Sequence, residues 1–319
     1  MTARTHWTLE DDAFETELRG IIDRDRSNSE EGGVGDVTEQ RQATVITVAS
    51  ATGGCGKTFF ATNLAALLGR RPAARTLLVD MDLQFGEVAA ALHLRPQYSV
   101  YDGLYGANGK PLPEGTFEEH LGELVVRHPL GFDVLTAPRD PALADYVGAA
   151  DADHVIGAVK GHYDVVIVDT PPSMNEVVLV ALERSDVVAV LATLDVPSLK
   201  NLKVFLETLH RLKIEDKALR LILNKVDSDV GITVKQAQDA FGGRFVGAIP
   251  HSKVVSRAMN VGSVVLEVEP KGKVAKELTV AATHVVPAEL LPDGPKFDDP
   301  PGLVARIAAF FKGFTGRTP

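Results

Sequence analysis

The chain has 319 residues, 45% of them hydrophobic, with 33 basic side chains against 43 acidic ones and a formal net charge of −10. That length suits one large α/β domain with tails, and the acidic balance argues against broad charge-driven nucleic-acid binding, so no specific nucleic acid is expected. A single cysteine, Cys55, rules out an intrachain disulfide and a cysteine-ligated cluster, and it fits a reducing cytoplasm.

Residues 1–42 are polar and acidic and read as a solvated, disordered tail without the apolar core of a secretory signal. Leu9, Phe14, Leu18, Ile21 and Ile22 share one helical face there, so a short helix that folds on a partner is the alternative. Residues 43–290 alternate strand and helix signals. Strands are expected at 45–49, 76–80, 132–136, 163–169, 187–192, 219–224 and 245–249, and helices at 175–184, 198–212 and 233–241, among others. Several of the strands are continuous apolar runs, which marks a sheet covered on both faces. The expected fold is α/β: a doubly wound, mostly parallel sheet with helices on both faces and ligands at the carboxyl ends of the strands. Residues 291–302 hold four prolines and read as a linker. In 303–319, Leu303, Val304, Ile307, Phe310, Phe311 and Phe314 gather on one helical face, with Arg306, Lys312 and Arg317 beside them. A basic, Phe-rich amphipathic helix on a linker points to an anionic membrane surface; docking of the same face on the core is the alternative.

The strand at 45–49 runs into Ser50-Ala51-Thr52-Gly53-Gly54-Cys55-Gly56-Lys57-Thr58, followed by an apolar helical pattern over 59–68. Glycines let backbone N–H groups close around an anion, and the helix that follows aims its positive end at it. Lys57 then reaches the outer phosphates and Thr58 offers a hydroxyl to Mg²⁺. The template G-x-x-x-x-G-K-[ST] is met except at its first glycine, which is Ala51. Asp80 and Asp82 follow the second strand and Asp169 ends the strand at 163–169. Carboxylates at strand ends beside a phosphate loop hold Mg²⁺ and polarise an attacking water.

The stretches Thr52 to Thr58, Asp80-Met81-Asp82-Leu83-Gln84 and Asp169-Thr170-Pro171-Pro172 resemble the MinD/ParA family of deviant Walker A ATPases. Asp82-Leu83-Gln84-Phe85-Gly86-Glu87-Val88, Ala137-Pro138-Arg139-Asp140-Pro141 and Leu223-Asn224-Lys225-Val226-Asp227 are most similar to its CpaE/TadZ members, which serve assembly of Flp (type IVb) pili. The resemblance covers about residues 43–285. It implies ATP and Mg²⁺ as ligands, Thr52, Gly53, Gly54, Cys55, Gly56, Lys57, Thr58 and Phe59 around the phosphates, and Thr58 and Asp169 on the metal. It further implies Lys57, Asp82 and Asp80 in catalysis, Asn224 and Pro250 at the base, a homodimer formed on ATP binding, and pilus or secretion assembly proteins as partners. The expected address is cytoplasmic, peripheral at the inner face of the membrane. One departure stands out: the family's signature lysine falls at Thr52, which implies slow hydrolysis or a substitute cation such as Arg139. A ParA-like partition ATPase and a non-hydrolysing nucleotide-binding scaffold are the alternatives.

Asn224-Lys225-Val226-Asp227 also matches the N-K-x-D pattern that reads guanine, but the wider resemblance favours ATP. Cys55 occupies a loop position where a small side chain suffices. His93, His128, His154 and His251 show no ligand spacing and read as surface or loop residues. Tyr98, Tyr101 and Tyr105 form either an aromatic contact surface or a cluster packed under a loop.

Overall fold

The computed structural model describes residues 43–71, 74–214, 219–227 and 231–291. The expected tail 1–42, the linker beyond Leu291 and the helix at 303–319 lie outside the described residues. Eight strands form one sheet: β1 (Thr44–Ala49), β2 (Thr76–Asp80), β3 (Val126–Arg127), β4 (Asp133–Leu135), β5 (Val165–Asp169), β6 (Val187–Thr193), β7 (Leu219–Val226) and β8 (Phe245–Pro250). Their order is β3-β4-β2-β5-β1-β6-β7-β8. Every pairing is parallel except β3 with β4. The doubly wound, mostly parallel sheet is therefore as expected, with the two-residue edge strand β3 as the addition.

The main helices are α1 (Lys57–Gly69), α2 (Thr116–Leu124), α3 (Ala149–Lys160), α4 (Glu176–Glu183), α5 (Val196–Arg211), α6 (Val234–Ala240), α7 (Lys253–Asn260) and α8 (Lys273–Val285). Strand side chains alternate between two cores. Ile46, Val48, Val165 and Ile167 pack with α1, α7 and α8 on one face. Val45, Val166 and Val168 pack with α2 and α3 on the other, which continues past α4 and α5 through Val188, Val190 and Leu221. Both faces bury apolar side chains, which is why these strands read as unbroken apolar runs. Helix α1 is buried almost all round, from Phe59 to Leu68, because it lies between the sheet and the α7–α8 layer.

The start of α5 is set by Asp195, whose Oδ1 accepts the Ser198 N–H at 2.8 Å, with Pro197 in the first turn. The helix thus begins two residues before the expected 198. Tyr163 and Asp164 precede β5 instead of opening it: Tyr163 donates its hydroxyl to Asp133 and Asp164 accepts the Arg75 N–H. Among the described residues no helix is long and apolar enough to cross a membrane.

Of the two readings of His128, surface or loop, the loop holds: it follows β3 in the turn to β4 and is buried, 1% exposed. Its ring stacks on Phe132 with centroids 4.5 Å apart, and its Nδ1 accepts the Leu130 N–H. Buried in the β3–β4 turn, the imidazole fills an aromatic slot that sequence spacing does not reveal. The tyrosines divide between the two readings. Tyr101 stacks on Tyr105 at 5.3 Å and meets Tyr146 edge-on, while Tyr98 is exposed.

Candidate nucleotide site

The carboxyl ends of β2, β5 and β1 lie side by side. Asp80 of β2 pairs in register with Asp169 of β5, and Asp169 with Val48 of β1. Strands in register are about 4.8 Å apart, so the two carboxylates are neighbours by construction. Both are 1% exposed. Thr170 ties the next turn to β1 by donating its hydroxyl to the Val48 carbonyl at 2.8 Å.

The loop after β1 turns into α1 through two left-handed glycines, Gly54 at φ +73° and Gly56 at φ +90°. Gly53 and Gly54 are exposed. Phe60 donates the first α1 backbone hydrogen bond, to Gly56 O at 3.0 Å. The N–H groups of Lys57, Thr58 and Phe59 therefore lack helical partners and point outward from the helix start. The Phe59 side chain packs into the core, so only its backbone serves the loop. Cys55 is buried, its Sγ 3.9 Å from Ser198 Oγ at the start of α5.

Asn224, expected at the base, donates Nδ2 to the Cys55 carbonyl at 2.8 Å and so braces the loop from the end of β7. Pro250 ends β8 opposite Val226. Arg139 donates to the Pro96 carbonyl at the β4 end of the sheet. Ser198, Thr170 and the bracing role of Asn224 were not among the expected site features. Only the Asp195–Ser198 capping pattern carries a sequence signal, since the other contacts join residues far apart in the chain.

A Cβ at Gly56 would fall 2.3 Å from Asn224 Nδ2, on a backbone that side chains avoid. Gly56→Ala is expected to cost about 1–3 kcal/mol of stability and to spoil the loop together with its brace. Urea unfolding beside nucleotide binding checks both.

The acid cluster is electrostatically strained. Burial pushes the Asp169 carboxyl up to about 7, against the Thr58 hydrogen bond and the Lys57 charge, which pull it down. Burial, then the Asp169 charge, hold Asp80 well above the ordinary carboxylate range. Asp80 offers its oxygens to the N–H groups of Asp82 and Val88, both at 3.2 Å. Asp169 Oδ1 is buried with no hydrogen-bond partner. A hard divalent cation suits this set, which joins a hydroxyl, a carboxylate with a spare buried oxygen and a second carboxylate alongside.

The sign of the pH effect follows from the raised value. In the folded chain Asp169 is mostly neutral at pH 5, whereas at pH 8 it must carry charge in a dry site. Its contribution to stability is complete below about 3.8 and is lost as pH rises through about 7. With divalent metals chelated, Asp169→Asn is expected to raise the unfolding midpoint at pH 8 and to change it little at pH 4. Equal shifts at both would contradict this account.

A glycine loop between β1 and a buried helix, with paired carboxylates at the ends of β2 and β5, defines a P-loop nucleoside-triphosphatase fold. A family model described as an AAA domain matches residues 43–221, more than half of the chain. The chain belongs to that family, as a MinD/ParA-type P-loop ATPase. The putative septum site-determining protein MinD of Emiliania huxleyi is 25% identical over 224 residues, covering 68% of this chain and 78% of the relative. The chromosome-partitioning ATPase Soj of Thermus thermophilus is 35% identical over 171 residues, 53% of this chain and 62% of the relative. Among solved structures, the septum site-determining protein MinD from Pyrococcus horikoshii, complexed with Mg-ADP, superposes with a TM-score of 0.66. It covers 76% of this chain and 96% of its own length at 21% identity, which shows the shared fold.

Proposed function

We propose that the chain is a slow switch ATPase that binds ATP with Mg²⁺, pairs with a second copy in that state, and positions a pilus or secretion assembly at the inner membrane face. The observation that carries the ATP–Mg²⁺ site is the meeting of the Gly53–Thr58 loop with the unpartnered Asp169 Oδ1. The MinD structure with Mg-ADP supports it by shared fold. Backbone N–H groups of the loop and Lys57 hold the phosphates, Asn224 keeps the loop in shape, and Thr58 and Asp169 hold the cation. Mg²⁺ held there would draw charge from the phosphate oxygens. Asp82, half-buried at the rim, orients the water for in-line attack on the γ-phosphorus, with Asp80 behind it. Thr52 Oγ1 is buried without a partner where relatives in this family carry a charge, so less developing charge is stabilised and turnover is slow.

The CpaE/TadZ-like stretches at 82–88, 137–141 and 223–227 support the pilus role, and the basic helical pattern at 303–319 supports membrane contact. The match to Soj favours a second reading, a ParA-like partition ATPase working on the nucleoid. The deciding experiment is mass-resolved chromatography with ADP and with ATP–Mg²⁺, then sedimentation with anionic vesicles and with DNA. ATP is expected to double the mass and to carry the full chain onto vesicles, and loss of 302–319 to abolish the second effect. Sedimentation with DNA but not with vesicles would favour partition.

A further inference from the structure

The ATP–Mg²⁺ site makes no use of Asp227, the last residue of the Asn224-Lys225-Val226-Asp227 stretch. The end of β7 is nevertheless built unlike an ordinary strand end. Asn224 is buried, and its amide holds the phosphate loop at the Cys55 carbonyl. Lys225 is exposed at φ +54°, in the left-handed region that side chains other than glycine seldom enter. The β7–β8 pairing shifts register between Leu223 and Val226, so the ladder breaks at these two residues. Such a break re-aims side chains beside a site. Here it leaves Asn224 on the loop and Lys225 at the surface.

Pairing resumes with Val226 opposite Pro250, and the His251 N–H donates to the Val226 carbonyl at 2.9 Å. Asp227 is thereby fixed at the mouth between the ends of β7 and β8. It stands three residues past Asn224, within about 10 Å of chain from the brace on the phosphate loop. In the strand order, β2 and β5 lie on one side of β1 and carry Asp80 and Asp169 to the cation and the outer phosphates, while β6, β7 and β8 lie on the other. The base, at the opposite end of the phosphate chain, then belongs beside β7 and β8.

Asp227 is exposed and has no hydrogen-bond or ion-pair partner among the described residues. An ionised carboxylate only accepts. Guanine presents two donors side by side, N1–H and the N2 amino group, which the two oxygens take in parallel. Adenine presents one, the N6 amino group, next to an N1 lone pair that faces the second oxygen. The apolar stem of Lys225 can cover a ring face while its ammonium stays in water.

We infer that the site takes guanine nucleotides beside adenine ones, with Asp227 as the residue that reads guanine. This rests on the nucleotide-site reading above and deepens it by naming a second base.

The test is equilibrium binding of GDP, ADP and the xanthine nucleotide XDP to the full chain with Mg²⁺. GDP is expected to bind within about tenfold of ADP or more tightly. Asp227→Asn, at an exposed position, lowers the GDP-to-ADP affinity ratio roughly tenfold or more, the usual effect of losing a bidentate base contact. The same substitution sets a donor beside an acceptor, which matches the C2 carbonyl and N1–H of xanthine, so XDP affinity rises by a similar factor. Asp227→Ala lowers the ratio without admitting XDP. A parent that holds GDP more than about tenfold more weakly than ADP overturns the inference while the ATPase reading stands. So does an unchanged ratio in Asp227→Asn, or no gain in XDP affinity. A parent that binds no nucleotide ends both.

Discussion

Lys57→Ala is expected to lower ATP affinity roughly a hundredfold while the chain still folds. Lys57 is 8% exposed at the first position of α1, and its charge acts on the buried Asp169 carboxyl. Removing an ammonium that would meet phosphate oxygens in a buried site costs about 2–5 kcal/mol, and about 3 kcal/mol corresponds to that hundredfold. The substitution also leaves the Asp80–Asp169 pair with less compensating charge, so a tighter demand for Mg²⁺ accompanies the weaker grip on phosphate. Equilibrium binding of ATP with and without chelator separates the two effects, and circular dichroism confirms the fold. Affinity within threefold of the parent would remove the loop from the phosphate-binding role.

The sheet was legible in the sequence because several of its strands are near-continuous apolar runs, β5 as VVIVD and β6 as VVAVLAT among them. All seven expected strands are present, and the carboxyl ends of β2 and β5 set Asp80 beside Asp169, with Lys57 at the start of α1 acting on Asp169. What escaped the sequence are contacts between residues far apart in the chain. Asn224 lies 169 positions from Cys55, and no local pattern announces that its amide braces the loop. Strand β3 has two residues, too few for alternation to register, and His128 beside it is buried by the turn and by Phe132 instead of by its own polarity. Strand β7 runs on to Val226 past the expected end at 224, carried by its pairing with Pro250 and with Lys225 at φ +54°. Periodicity finds elements that bury whole faces. It is silent where one side chain reaches across the fold.

Asp82→Asn is expected to lower the rate of ATP hydrolysis about 10²- to 10⁴-fold, the usual contribution of a positioned proton acceptor, with ATP affinity within a few-fold. Asp82 differs from its two neighbours in burial. Asp80 and Asp169 are buried in the sheet, where desolvation raises both carboxyls, whereas Asp82 is half-buried at the rim. Asparagine keeps the oxygen that accepts the Phe85 N–H, so the loop geometry survives and only the charge goes. That charge pushes the Asp80 and Asp169 carboxyls upward, and its removal relieves both. The variant should therefore be as stable as the parent or slightly more so, which keeps a loss of turnover from being mistaken for a loss of fold. Single-turnover hydrolysis beside an unfolding curve makes the comparison. Turnover within threefold of the parent would move the water-orienting role off Asp82, and a matching loss of affinity would make it a ligand for the nucleotide instead.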